Sequence, residues 1–139
     1  MRKKVSIING PNLNLLGRRE PEIYGSQSFE DYFTLLQEKY TAIDLYYFQT
    51  NHEGDIIDKL HEVGFDYDGI ILNAGGYTHT SIAIADAIKG IETIVVEVHI
   101  SNIYEREKYR HHSFIKEVSV KSIIGKGLAG YDEAIEHFI

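Results

Sequence analysis

The amino-acid sequence predicts an α/β fold: a five-stranded parallel sheet with helices on both of its faces. The first observation behind this prediction is an alternation, repeated five times, of short apolar runs with segments whose apolar residues recur at helical spacing. Such alternation is typical of strand-helix-strand units, whose parallel strands are buried beneath helices. The second observation is length, because 139 residues make one domain, and residues 1–139 contain no evident linker or internal repeat.

The predicted strands are the short apolar runs. They lie at residues 5–9, 43–49, 69–73, 94–99 and 118–124. The predicted helices are the segments between and after them, at residues 28–40, 54–63, 81–89, 103–110 and 131–138. Five strands in a chain of this length favour the flavodoxin-like arrangement, although the sequence leaves the strand order open. Ligands of such sheets bind beyond the carboxyl ends of the strands.

Residues that begin or end a helix support these boundaries. Ser28 and Asp31 have the spacing of a capping box at the start of the first helix. Ser81 or Thr80 is placed to cap the third helix, and Gly64 is placed to end the second.

The helix predicted at residues 81–89 is apolar nearly all round. Its apolar residues are Ile82, Ala83, Ile84, Ala85, Ala87 and Ile88. A helix that is apolar on every side is buried. Either a second subunit covers it, or it lies between the sheet and the other helices of its own chain. Asp86, inside this helix, needs a partner in either case.

Composition excludes several classes of function. The chain has no cysteine, so it has no disulfide, thiol nucleophile or cysteine-bound zinc. Its formal charge of −7 argues against binding nucleic acid or anionic membranes, which need basic patches. No apolar run reaches the roughly 18 residues that span a membrane. The apolar run after the basic N-terminus is too short for a signal peptide, so we expect a cytoplasmic protein.

Neither a metal nor an organic cofactor is predicted. His111 and His112 are adjacent and diverge on a helix, and no HExxH or other metal-binding spacing occurs. The phosphate loops GxGxxG and GxxxxGK[ST] are absent as well, which disfavours nucleotide cofactors.

Three of the predicted strands run directly into segments with an unusual set of polar residues. The first runs into residues 9–14, the third into residues 73–79, and the fourth through residues 97–102. Each of these segments alone is also compatible with ordinary turns, since Asn, Gly and Pro form turns. Together they favour a site at the carboxyl edge of the sheet, where parallel strands place their ligands.

The connection at residues 10–27 is long for a compact domain. Connections of this length are usually functional or disordered. Gly17 and Gly25 bound a segment that contains Arg18 and Arg19, which indicates a lid that closes on an anion. The alternative is a solvated, mobile loop.

Charged side chains near the strand ends have two interpretations each. Glu97 and His99 are two apart on a strand and share a face, as a general acid and its orienting carboxylate would; the pair is equally compatible with a satisfied buried ion pair. Arg106 and Arg110 are four apart on the predicted helix and share a face. They either clamp a carboxylate or pair with nearby glutamates on the surface.

Several motifs in order along nearly the whole chain resemble those of the type II 3-dehydroquinate dehydratases. The matching segments are NGPNLN at residues 9–14, LGRREP at 16–21 with Tyr24-Gly25, NAGGYTHTS at 73–81, EVHISN at 97–102, and Arg106 and Arg110 before His111-His112-Ser113. The resemblance implies a flavodoxin-like fold and a homododecamer built as a tetramer of trimers. It also implies reversible dehydration of 3-dehydroquinate, an anion, to 3-dehydroshikimate with neither metal nor organic cofactor.

The resemblance also assigns catalytic roles. Tyr24 is implied to remove the proton at C2 and give an enolate, with Arg19 beside it. Asn12 is implied to hold a water that steadies the enolate. His99 is implied to protonate the leaving C1 hydroxyl, oriented by Glu97.

The same resemblance assigns substrate contacts. The residues implied to hold the substrate are Asn73, His79, Ile100, Ser101 and Arg110. Asp86 is implied to reach the site of a neighbouring subunit. The sequence departs from the family pattern at Ala74 and Gly76, where proline and alanine are common, and we expect this turn to be looser.

The residue chemistry agrees with these roles. A tyrosine base acts as a phenolate, and the ordinary pKa of tyrosine is about 10. Bringing a phenol to ionisation near pH 7 requires about 4 kcal/mol. One close cation supplies about one to three pKa units, so Arg19 is placed to provide much of this, with Arg18 or Arg106 as further contributors.

Three rival functions belong to other classes. A signalling receiver needs acidic residues at the strand ends, whereas the first and third strands here end in Asn9 and Asn73. An inactive structural relative would lack Tyr24, Arg19 or His99, and all three are present. A flavin-binding protein is compatible with the fold alone.

Overall fold

The computed structural model describes residues 2–139 and contains one parallel sheet. Its strands are β1 (Lys3–Asn9), β2 (Ile43–Gln49), β3 (Gly69–Asn73), β4 (Val95–His99) and β5 (Lys121–Ile124). Every neighbouring pair is parallel, in the order β2-β1-β3-β4-β5. This confirms the predicted flavodoxin-like arrangement. The strand order switches direction between β1 and β3, and sheets of this kind bind ligands at such a switch point.

Helices cover both faces of the sheet, as predicted. They are α1 (Pro21–Tyr24), α2 (Phe29–Lys39), α3 (Glu53–Val63), α4 (Ile82–Gly90) and α5 (Ala129–Glu136). On one face, Phe29 and Leu36 of α2 and Tyr131 of α5 pack on the sheet. On the other face, Leu60 of α3 and Ile84 of α4 do the same. The alternating buried faces of the strands thus form two separate cores.

The helix starts follow the predicted caps, whereas one helix end has a different cause. The Ser28 side chain accepts a hydrogen bond from the Asp31 amide, and the Ser81 side chain accepts one from the Ile84 amide. Gly64 follows α3 with φ of −79°, so no left-handed turn requires glycine there. A Cβ at Gly64 would lie 2.4 Å from the side chain of Ile91, so the glycine makes room for that close approach.

The single helix predicted at residues 103–110 is wrong. The chain forms two separate 3₁₀ turns there, Ile103–Glu105 and Lys108–Arg110. Arg106 has an extended backbone between them, with φ −105° and ψ −166°. Both turns are too short to place residues four apart on one helical face, so the predicted shared face of Arg106 and Arg110 does not exist.

The last two elements are also displaced from their predicted bounds. The strand predicted at 118–124 begins only at Lys121, because Lys116–Val118 is a 3₁₀ turn. The last helix spans Ala129–Glu136 rather than 131–138.

Helix α4 is buried on one side only in the single chain, which contradicts the alternative that its own chain covers it all round. Ile84 and Ile88 lie in the core, whereas Ile82 is 59% exposed. The Asp86 side chain is 65% exposed, and its nearest cation, Lys89, is 3.8 Å away. The outer face of α4, defined by Ile82, Ala83 and Asp86, is therefore uncovered in the single chain.

Candidate active site

The carboxyl ends of three strands meet at one cleft. Asn9 at the end of β1 pairs in register with Asn73 at the end of β3, and His99 ends the neighbouring β4. The backbone amide of Gly10 donates to the Asn73 carbonyl at 2.7 Å. A Cβ at Gly10 would lie 2.6 Å from the Ala74 carbonyl oxygen, so glycine permits the two strand ends to approach.

Most of the residues predicted for the site line this cleft. They are Asn12, Arg19, Tyr24, Asn73, His79, His99, Ile100, Ser101 and Arg110. Glu97 lies behind His99, with only 1% of its surface exposed. Asp86 does not line the cleft of its own chain, since it is on the outer face of α4. Among residues 2–139, no three His, Cys, Asp or Glu side chains are grouped to hold a metal ion.

Tyr24 lies at the end of α1, between two arginines. The Arg106 Nη1 donates a hydrogen bond to the Tyr24 hydroxyl at 2.7 Å. The Arg19 guanidinium lies beside the ring instead, 5.1 Å from its centroid, with Glu20 3.7 Å from its Nη2. A cation that donates to a phenol oxygen favours the phenolate. Arg106, which the sequence left between a carboxylate clamp and a surface pair, is thus the arginine in contact with the hydroxyl.

A segment that the sequence predicted as a lid or a loop brings Tyr24 to the cleft. Gly17 and Gly25 bound it, with φ of +92° and +86°, values that favour glycine. Between them Pro21 begins the short helix α1, which the sequence analysis did not predict. Proline at the first position of a helix is its preferred site, so this residue was the available signal. The Arg106–Tyr24 bond ties the segment to the chain beyond β4.

Glu97 and His99 form a buried pair in which the imidazole reaches the cleft. Nε2 of His99 lies 2.7 Å from Oε2 of Glu97. Since an ionised carboxylate only accepts, Nε2 carries a proton and Nδ1 is the ring nitrogen left for a ligand. The pair is therefore both satisfied and open to the cleft, so the two interpretations left by the sequence are compatible.

Two serines complete the hydrogen bonds of the Glu97 carboxylate. The Ser113 hydroxyl donates to Oε2 at 2.5 Å, and the Ser122 hydroxyl donates to Oε1 at 2.5 Å. Burial raises the pKa of Glu97, but the hydrogen bond and charge of His99 and the two hydroxyls outweigh it, so the net pKa lies below its ordinary value. The ionised Glu97 carboxylate thus accepts hydrogen bonds from His99 and from both serines.

His79 faces the cleft as a neutral imidazole. Its ring stacks on that of His99 at 6.3 Å between centroids, and its Nδ1 lies 2.8 Å from the His112 carbonyl oxygen. Nδ1 therefore donates, and Nε2 is an acceptor. Burial, with the charges of His99 and Arg110, lowers the pKa of His79, although the bond to His112 acts in the opposite direction.

Arg110 makes a surface pair and also lines the cleft. Its Nε donates to Glu107 at 2.7 Å, as a surface pair would. The same side chain lines the cleft. The Glu107 contact fixes one edge of the guanidinium and leaves the other nitrogens to bind an anion.

Asn12 is held in an unusual backbone conformation by a residue that the sequence analysis missed. Its φ is +70°, and its amide donates to Oδ1 of Asn51 at 3.0 Å. Asn51 follows β2, the strand beside β1. The end of β2 is followed by the polar run Thr50-Asn51-His52, and this run was the signal that could have identified Asn51.

Comparison with known proteins decides the family. The family model described as "Dehydroquinase class II" matches residues 3–139. This chain belongs to that family. It is 51% identical over 137 residues to a 3-dehydroquinate dehydratase of Exiguobacterium sp., covering 98% of this chain and 94% of the relative. It is 46% identical over 139 residues to a catabolic 3-dehydroquinase of Emericella nidulans, covering 99% and 91%.

Solved structures agree with this class II dehydroquinase assignment. The type II dehydroquinase from Butyrivibrio crossotus superposes with a TM-score of 0.95 at 45% identity, covering 99% of this chain and 97% of that one. The type II dehydroquinase from Propionibacterium acnes superposes with a TM-score of 0.91 at 36% identity, covering 99% and 96%. The chain is thus a dehydroquinase, an enzyme of the hydro-lyase class.

Hydrogen bonds from Tyr77 hold the turn after β3, where the sequence of this dehydroquinase has Ala74 and Gly76. Residues Gly75–His79 form a 3₁₀ helix. The Tyr77 amide donates to the Ala74 carbonyl at 3.2 Å, and the Tyr77 hydroxyl donates to the Asn51 carbonyl at 3.3 Å. Both bonds come from Tyr77, in the middle of the turn, and they tie it to Ala74 and to the segment after β2.

Proposed function

We propose that this dehydroquinase dehydrates 3-dehydroquinate to 3-dehydroshikimate through an enolate, with Tyr24 as the base and His99 as the general acid. The observation that carries the proposal is the pairing of opposite acid-base groups on one cleft. The Arg106 guanidinium donates to the Tyr24 oxygen, and a cation in this position stabilises the phenolate. An imidazole backed by the Glu97 carboxylate favours its cation.

The base step begins at C2, next to the substrate carbonyl. The Tyr24 phenolate takes the C2 proton, and the electron pair of that bond moves to the carbonyl oxygen to give an enolate. Asn12 steadies this oxygen through a water molecule, as the family resemblance implies. A hydrogen-bond donor placed for developing negative charge contributes about 3–4 kcal/mol to such steps.

The acid step removes the C1 hydroxyl. The enolate electrons return to form the C1–C2 double bond as the C1–oxygen bond breaks. Nδ1 of the protonated His99 supplies the proton, so the group leaves as water. Glu97 stays ionised throughout and stabilises the imidazolium before it gives up its proton.

The cleft supports binding of an anion in a protein with a net charge of −7. Three guanidinium groups line it, from Arg19, Arg106 and Arg110. We propose that Arg110 binds the substrate carboxylate, because its contact with Glu107 leaves donors free toward the cleft. The other proposed substrate contacts are Asn73, His79, Ile100 and Ser101. The carbonyl beside C2 makes the enolate accessible without a metal or organic cofactor.

We further propose a cytoplasmic homododecamer, a tetramer of trimers, in which Asp86 reaches a neighbouring cleft. The exposed outer face of α4 supports this proposal. Ile82 is 59% exposed on that face beside Asp86, and apolar surface of this kind favours a protein partner.

Ultraviolet absorbance tests the proposed activity, because the product is a conjugated enone and the substrate is not. Chelator-treated protein is mixed with 3-dehydroquinate, and we expect absorbance to rise. Tyr24→Phe is expected to lower the rate by about 10²–10⁴-fold, the usual contribution of an acid-base group. Tyr46→Phe, on an exposed tyrosine of β2, is the matched control and should keep the wild-type rate. No rise with folded wild-type protein would reject the proposed function.

A further inference from the structure

A chain of buried hydrogen bonds lies directly beneath the cleft. Nδ2 of Asn73 donates to the Tyr131 hydroxyl at 3.0 Å, and that hydroxyl donates to Oδ1 of Asn9 at 2.8 Å. Tyr131 comes from α5 and is 0% exposed. It thus connects the last residues of two central strands, one of which, Asn73, also lines the cleft.

A backbone amide shows which group donates and which accepts in this series of hydrogen bonds. The Gly75 amide can only donate, and it lies 3.2 Å from Oδ1 of Asn73. Oδ1 is therefore the acceptor, and Nδ2 is the atom that faces Tyr131. Burial raises the pKa of Tyr131, so its hydroxyl keeps its single proton. Because the hydroxyl accepts a hydrogen bond from Asn73, it uses its own proton to donate to Asn9.

This arrangement decides what Asn73 offers to a ligand. Oδ1 is engaged with Gly75, and one Nδ2 proton is engaged with Tyr131. The second Nδ2 proton is left for the cleft. Asn73 consequently offers a donor, which selects an oxygen acceptor on the ligand.

We propose that Tyr131 is a positioning residue, which holds the Asn73 amide so that its Nδ2 donates to an oxygen of the substrate. This inference rests on the proposed function, in which Asn73 contacts 3-dehydroquinate. Without the Tyr131 hydroxyl, the Asn73 amide loses one of its two internal partners. It is then free to rotate, and a fixed donor becomes a mobile one.

The ring of Tyr131 has a separate, structural role. It packs edge-on against Phe29 with 4.8 Å between ring centroids. Tyr131→Phe keeps this contact and removes only the hydroxyl. The substitution therefore separates positioning from packing, provided that stability and substrate binding are measured separately.

The test compares KM and kcat for 3-dehydroquinate in wild-type protein and in Tyr131→Phe. We expect KM to rise by about five- to tenfold, the equivalent of one hydrogen bond, while kcat changes less. Tyr40→Phe is the matched control, because this buried hydroxyl also bonds to α5, through Asp132 and Glu136, but does not line the cleft. Its KM should stay at the wild-type value. Urea unfolding of each variant separates loss of stability from loss of binding.

A double-mutant cycle with Asn73→Ala decides whether Tyr131 acts through Asn73. In the Asn73→Ala background, Tyr131→Phe should have no further effect on KM. An equal rise in KM in both backgrounds would overturn the proposal, and so would an unchanged KM in Tyr131→Phe. Failure of the proposed function is distinguishable, since it appears as wild-type protein without turnover.

Asn9→Ala provides a second route if Tyr131→Phe does not fold. This variant removes the acceptor of the Tyr131 proton, so the hydroxyl competes for Oδ1 of Asn73 and disturbs the same amide. KM should rise as in Tyr131→Phe, and the rise should vanish in the Asn73→Ala background. An unchanged KM would again contradict a positioning role.

Discussion

Two guanidinium groups flank Tyr24, but only one of them touches its hydroxyl. Arg106 donates to the phenol oxygen at 2.7 Å, whereas Arg19 lies over the ring and beside Glu20. Each arginine also has a glutamate nearby, Glu20 at 3.7 Å from Arg19 and Glu107 at 4.0 Å from Arg106, so neutralisation does not distinguish them. A Coulombic interaction weakens with distance, and only Arg106 contacts the hydroxyl. The contact therefore ranks Arg106 above Arg19 as the group that stabilises the phenolate.

Replacing Arg106 with glutamine tests this ranking. We expect Arg106→Gln to lower kcat by about 10²–10³-fold, because the phenolate loses the donor that stabilises its charge. Arg106→Lys keeps the charge and should lower kcat less. Arg19→Gln, the matched control, should also lower kcat less, because Arg19 does not donate to the hydroxyl. A larger loss of kcat in Arg19→Gln than in Arg106→Gln would reverse the ranking.

His79 makes folding stability depend on pH below about 6.5, the ordinary pKa of histidine. Burial lowers the pKa of His79 in the folded state, so the unfolded chain binds its proton more readily. The contribution of His79 is therefore lost as pH falls below about 6.5, the ordinary pKa of histidine. Glu97 acts in a lower window, because a lowered carboxyl pKa gives stability that is lost only as pH falls through the acidic range.

Urea unfolding at pH 7.5 and 5.5 measures the His79 effect. Wild-type protein should lose more free energy of unfolding between these values than His79→Gln does. His61→Gln, on the exposed surface of α3, is the control and should match the wild type. Equal losses in wild type and His79→Gln would contradict the assignment.

Elements of the sheet approach one another closely at Gly10, and this approach shapes the cleft. Gly10→Ala places a Cβ 2.6 Å from the Ala74 carbonyl, so we expect a loss of about 1–3 kcal/mol in stability and lower activity as the strand ends move apart. Gly76→Ala, in the turn after β3, is the matched substitution. No heavy atom lies within 4 Å of its Cβ, so stability should hold or rise by about 0.4–1 kcal/mol. Urea unfolding distinguishes the two, and equal losses would contradict the argument.

Elements with a strong pattern were predictable from the sequence, and weakly patterned segments were not. The runs that became β2 and β3 have the predicted bounds, because a short apolar run between polar residues leaves little choice of strand. Residues 103–110 have helical spacing over only eight positions, which does not distinguish a helix from two turns. Arg106 then adopts an extended backbone where its guanidinium reaches Tyr24, a contact that no local pattern encodes.

The same distinction applies to the site. Asn9, Asn73 and His99 were predictable as neighbours, because parallel strands bring their carboxyl ends to one edge. The position of Tyr24 depended on resemblance, since its segment has no repeating pattern. Tyr131 was not singled out, because a buried tyrosine in an amphipathic helix is indistinguishable by pattern from an ordinary core residue.

The whole molecule is expected to function as an assembly through the outer face of α4. Wild-type protein should sediment with twelve times the 15.9 kDa mass of one chain. Ile82→Glu places a charge on this face and should dissociate the assembly and lower activity, because Asp86 then no longer reaches a neighbouring cleft. Ile82→Val keeps the face apolar and is the control. A wild-type monomer at micromolar concentration would contradict the proposed assembly.

The central claim is the division of labour between Tyr24 as base and His99 as acid, and exchange of the C2 hydrogen with deuterium oxide tests it most directly. Nuclear magnetic resonance follows this exchange and product formation in the same sample of 3-dehydroquinate. In His99→Asn, we predict exchange above the buffer background without comparable dehydration, because the enolate still forms but its hydroxyl cannot leave. In Tyr24→Phe, neither should occur. Exchange in Tyr24→Phe but not in His99→Asn would contradict the proposed roles.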